Sequence, residues 1–245
     1  MAVVQDYDTI QTSVLKSGGT TSVEFTLEVD DWDYVALIYA HNSGSALDIT
    51  WPTGLGSQET LFSVTSGNGY LLVGKGFPWR NGYGKSLTAA IPVLGDIACV
   101  ACLQIYHSSA FDQSTTFTDV WQSNPVSTSS GIDPTTAYSH IVVAAAYYGD
   151  TVASFSSHAT ATQPGALTER CDINGLKTGT PNKAVSLSVA SAQSSSSGIT
   201  GAYSCSLSGA NYVEGEEEYD YSLALFNITS IANSNVNKMI AIHGG

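Results

Sequence analysis

"SVEFTLEVDDWDYVALIYAH" spans residues 22–41 and holds two kinds of strand in succession. In its first half Val23, Phe25, Leu27 and Val29 alternate with Glu24, Thr26, Glu28 and Asp30, the period-two pattern of a strand with one buried and one wet side. From Tyr34 to His41 the alternation stops and the run is continuously apolar, as in the central strand of a sandwich. Further short runs follow at "ETLFSV", "GYLLVGKG", "SLTAAIPV" and "DIACVACLQIYH", separated by Gly, Asn, Pro and Ser, and no helical period is sustained anywhere.

The second half repeats this plan. "STTFTDVW" (114–121) aligns with "SVEFTLEVD", "HIVVAAAYYGD" (140–150) with "YVALIYAHNSG", and "PGALTER" (164–170) with "PTGLGSQET". "KAVSLSVASA" (183–192) aligns with "GYLLVGKGF", "ITGAYSCSLS" (199–208) with "SLTAAIPV", and "YDYSLALFNIT" (219–229) with "DIACVACLQIYH", which sets Tyr221 against Cys99. The expected fold is all-β: two tandem related β-sandwich domains of jelly-roll or immunoglobulin-like type, six or seven strands each, over residues 1–109 and 110–245. The boundary is expected near 108–113, with a second flexible stretch at "SNPVSTSSGIDPTT" (123–136).

Composition narrows the function classes. With 8 Lys plus Arg against 21 Asp plus Glu, a formal net charge of -13 leaves little to neutralise phosphates, so nucleic acid is not an expected partner. No run reaches the 18 or more apolar residues of a membrane-spanning helix, and "MAVVQDYDTI" has neither the basic start nor the apolar core of a secretory leader, so neither a membrane nor that export route is expected. Cys99 and Cys102 have CxxC spacing but lie in an apolar strand-like run where residues three apart face opposite sides. Buried thiols are expected there, and no metal or cofactor.

From "VVAAA" through the Pro-Gly-Ala-Leu-Thr-Glu-Arg turn, "VSLSVASA" and the closing "YSLALFNI", the chain resembles sandwich modules of tailed-bacteriophage virion proteins: head-decoration proteins, tail modules and fibres. The likeness covers most of the second copy and the first more loosely. It describes a scaffold without a reaction centre, and no functional residue is carried over from it.

There is no HExxH, GxSxG or P-loop, and His41, His107 and His140 fall at strand ends, where packing or hydrogen bonding explains them. Glu214, Glu216, Glu217, Glu218 and Asp220 in "EGEEEYDY" offer hard oxygen ligands for calcium but lack the Asn, Asp and Gly alternation that wraps an ion; a solvated loop is the plainer reading. The sequon Asn227-Ile228-Thr229 falls in an expected strand.

"GKGFPWRNGYGKS" (74–86) stands out, because Lys75, Phe77, Trp79, Arg80, Tyr83 and Lys85 gather cations and aromatics where the second copy has the bland "SAQSSSSG". Either the segment folds back with Trp79 as a plug, or it contacts something outside, since aromatics with Arg are enriched at interface centres and aromatic rings also stack on sugars. These readings lead to an expected function: a non-enzymatic structural protein of a bacteriophage virion, a surface head-decoration (cement) protein present in many copies or as a homo-oligomer. Its expected partners are capsid or tail subunits and its place is the virion surface. A tail or fibre adhesion protein, or a lectin-like module taking a host-surface glycan, is the alternative.

Overall fold

Whether a segment alternates or is continuously apolar depends on how many sheets cover it. The computed structural model describes residues 9–16, 18–28, 33–42, 45–65, 71–80, 84–92, 97–120, 124–179, 183–210 and 220–230; among them are sixteen strands and no helix. The first eight are β1 (Thr9–Lys16), β2 (Ser22–Thr26), β3 (Asp33–His41), β4 (Asp48–Thr50), β5 (Glu59–Thr65), β6 (Leu71–Trp79), β7 (Ser86–Ala90) and β8 (Ile97–Ile105). The second eight are β9 (Ser108–Val120), β10 (Val126–Ser127), β11 (His140–Gly149), β12 (Ser154–Thr160), β13 (Thr168–Lys177), β14 (Lys183–Gln193), β15 (Tyr203–Ser208) and β16 (Asp220–Ser230).

A five-stranded sheet of order β1-β8-β3-β6-β5 faces a three-stranded sheet β2-β7-β4, and β9-β16-β11-β14-β13 faces β10-β15-β12. Each strand of the second eight thus holds the place of the strand eight earlier. The order 1-8-3-6 opposite 2-7-4 is jelly-roll winding, with one departure: the fifth strand pairs with the sixth in the large sheet instead of extending the small one. Both copies even share a β-bulge, between Thr60 and Phe62 on β5 and between Glu169 and Cys171 on β13.

The two large sheets pack against each other. One buried cluster joins Ala36, Ile38, Ala40, Ala101 and Leu103 of the first copy to Val142, Ala144, Leu187, Ala224 and Phe226 of the second. Two further clusters fill each sandwich, one around Leu37, Tyr39, Phe77 and Trp79, the other around Val143, Phe155, Tyr203 and Leu225. The result is four layers with three apolar cores. β3, β8 and β16 read as near-continuous apolar runs because a sheet covers each of their faces, whereas β2 and β15 alternate because only one face is covered.

β1 packs on β13 and β5 on β9, the exchange expected of an approximate two-fold axis relating the copies. Phe62 meets Phe226 with ring centroids 5.5 Å apart, and the Cys99 thiol donates to the Val185 carbonyl at 3.2 Å. Through the ladders, the first contact joins the level of Ile38 to that of Val142, and the second joins Ala40 to Tyr148. β3 and β11 therefore run in the same sense, and equivalent loops of both copies emerge at the same end of the molecule.

Several sequence expectations need correction. Among the described residues each copy has eight strands, not six or seven. Residues 114–120 of "STTFTDVW" belong to β9, whose counterpart is β1 and not the "SVEFTLEVD" strand; the true counterpart of β2 is the two-residue β10, too short to carry a period. β10 sits inside "SNPVSTSSGIDPTT", where Val126, Thr128 and Ile132 are buried, so that stretch is a packed connection. β9, the first strand of the second copy, begins at Ser108. Cys99 corresponds to Ser222 rather than Tyr221: Cys99 faces the core between the large sheets and Tyr221 faces the small sheet, and a one-residue slip exchanges the faces of a strand.

Candidate functional site

The segment that drew attention in the sequence is mostly strand. Along β6, Val73, Lys75, Phe77 and Trp79 face the small sheet of their own sandwich, while Leu72, Gly74 and Gly76 face the second copy. Gly74 and Gly76 lie beneath aromatic rings: a Cβ would stand 2.4 Å from the Phe62 ring in one case and 2.4 Å from the Tyr34 hydroxyl in the other. Their glycines serve close packing, not loop flexibility.

Phe77 and Trp79 are each 1% exposed inside the first sandwich, so the outward stacking role considered for them gives way to a core role. Half-buried Arg80 donates through Nη1 to the carbonyls of Trp79 at 2.7 Å and Asp33 at 3.3 Å, bracing the end of β6. Lys85 is exposed, its carbonyl accepting from Leu27 N at 2.8 Å. Tyr83 lies outside the described residues, as do Glu214, Glu216, Glu217 and Glu218; Asp220 is buried at the start of β16.

Lys75 is the exception in its row, an inward-facing lysine between two core residues. It stands opposite Leu37 and Thr60, and its Nζ donates to Thr60 Oγ1 at 2.7 Å. The position equivalent to it in the second copy, opposite Val143 and Glu169, is Ala190, fully buried. The difference follows from strand length. β12 runs for 7 residues and covers the large sheet, whereas β4 has 3 and leaves a gap beside β5. That gap is a cleft of about 330 Å³ lined by Leu47, Ile49, Trp51, Gln58, Glu59, Thr60 and Lys75. Half-buried Trp51 is held edge-to-face on Phe77 with centroids 5.3 Å apart, and Glu59 Oε1 accepts from the Tyr34 hydroxyl at 2.6 Å. Trp51, Gln58, Glu59 and Thr60 went unnoticed in the sequence, because only the tertiary fold brings a turn and two strand ends together.

In the second copy the same region is filled. His158 of β12 reaches across to Tyr203 and Ser188, with Nδ1 2.7 Å from the Tyr203 hydroxyl and Nε2 3.0 Å from Ser188 Oγ. Ser188 gives its one proton to the Cys171 carbonyl at 2.9 Å, so Nε2–H donates to Ser188, and Nδ1 accepts from Tyr203. A serine that accepts from histidine, with its proton committed elsewhere, is not activated as a nucleophile. Glu169 Oε2 is 3.5 Å from Nε2 and would favour the imidazolium, but its side chain is 42% exposed and solvent screens it. Burial wins and brings His158 down to about 4, so it is neutral. The serines of "VSLSVASA" are likewise internal: Ser186 Oγ accepts from Ala153 N at 3.0 Å.

Cys99 lies between the large sheets and Cys102 inside the first sandwich, so the two face opposite sides as strand geometry requires. Among the described residues no group of three or more His, Cys, Asp or Glu is placed to hold a metal ion, and no helix is long and apolar enough to cross a membrane. The chain matches no family model, no curated protein and no solved structure.

Proposed function

We propose that this protein is a non-enzymatic structural component of a bacteriophage virion, a head-decoration protein bound to capsid subunits in many copies at the particle surface. The observation that carries the reading is the duplicated jelly roll closed by a shared core. Jelly rolls recur in capsid and lectin domains, a fold-level analogy that joins the sequence resemblance of the second copy. In the fused pair each loop emerges at the same end as its equivalent in the other copy, a form suited to seating on a repeating surface. At the end where β11 begins, the second copy presents Tyr138, 60% exposed with φ 63°, and Ile199, 64% exposed. The chemistry of the His158–Ser188 pair fits a structural role.

The reading is tested by mixing purified protein with capsids that lack it and following co-sedimentation, with gold-labelled antibody on intact particles to place it. Saturable binding to capsids and label on heads is the expected result. Label confined to tails would favour the adhesion alternative, and a protein that neither sediments with particles nor labels them would refute the virion assignment.

A further inference from the structure

The cleft beside β4 has the composition of a ligand site and exists in only one of two otherwise equivalent sandwiches. If the scaffold alone dictated the inward row of β6, an apolar residue would stand at 75, as Ala190 does in the sister copy. A lysine there costs core packing, and it is kept where β4 stops short and opens the row to solvent. Edge protection by an inward charge does not explain it, because β6 is an interior strand with β5 outside it.

We infer that this cleft binds one neutral sugar unit, a hexose or N-acetylhexosamine of a glycan. Its volume of about 330 Å³ is at the small end of ligand pockets and suits one or two rings. Trp51, fixed by its edge-to-face contact with Phe77, supplies the rigid aromatic surface on which the C–H face of a sugar packs. Around it stand groups that match hydroxyls: the Gln58 amide, the Thr60 hydroxyl and the Lys75 ammonium; the Glu59 carboxylate is turned to the other face of β5, where it accepts from Tyr34. A neutral ligand is favoured over an acidic one because the chain around the cleft carries a net charge of -13. The site is independent of where the protein resides, so its failure would leave the virion proposal standing.

The test is saturation-transfer NMR on the intact protein with a panel of neutral mono- and disaccharides and a matched set of uronic and sialic acids, followed by titration of the best binder. Lys75→Met keeps the aliphatic stem and Gln58→Ala changes an exposed residue, so both should melt as the wild type does. Each should weaken the neutral sugar about tenfold, the loss of one good hydrogen-bonding group. Three outcomes overturn the inference: no neutral sugar binds at millimolar concentration, only the acidic set binds, or both variants bind as the wild type does.

Discussion

The Cys99 thiol of the first sandwich donates to the Val185 carbonyl of the second at 3.2 Å, a hydrogen bond between residues 86 apart in sequence. Such a contact requires the large sheets to touch with no space for water. Gly175 shows the same closeness one strand over, since a Cβ there would be 2.6 Å from Val14 Cγ1 and 2.8 Å from Ile97 Cδ1.

Gly175→Val should therefore wedge the sandwiches apart. The expected loss is roughly 1–3 kcal/mol, the usual cost of overpacking, read as a lower denaturant midpoint. A variant as stable as the wild type would show that the large sheets do not meet there.

Trp79→Ala should destabilise the isolated protein by about 3–5 kcal/mol, because it empties a core site. If it melts normally, the ring is not buried and an outward contact role returns for it.

The thiols should be inert in the native protein. Burial pushes Cys102, Cys171 and Cys205 up to about 12 and Cys99 upward as well, so at pH 8 all four are protonated. An aromatic disulfide reagent should react slowly with the folded chain and with all four cysteines in denaturant; rapid native labelling of Cys102 would contradict its placement.

Stability should fall with acid through His158. Its folded value of about 4 is below the unfolded 6.5, so the unfolded chain binds the proton more readily. The contribution is fully present above pH 6.5, is lost as pH falls from there toward 4, and amounts to about 3 kcal/mol. Unfolding free energies measured at pH 7 and pH 4.5 should converge in His158→Gln relative to wild type. Equal pH dependence in both proteins would exclude His158 as the source.

Much of this architecture is legible in the residues. Period-two alternation at Val23 to Val29 and the apolar run from Tyr34 to His41 identify strands, and the order of such runs reveals the duplication. These signals are local, because side chains alternate along any strand. Where a strand is short, the signal fails: two residues of β10 cannot display a period, so its place was taken by β9.

Residue pattern alone determined that the chain is all-β, that it is a duplication, and which residues are apolar enough to be buried. Tertiary structure decided what buries them. An apolar run such as "YVALIYAH" records that both faces are dry but not that one face is covered by the other copy. The aromatics at 77 and 79 look the same in sequence whether they face a partner or a core. Lys75 stands out in sequence as a cation among aromatics, but that it lines a cleft follows only from β4 being too short to cover it, since a cleft is a property of the gap between elements and no single element encodes it.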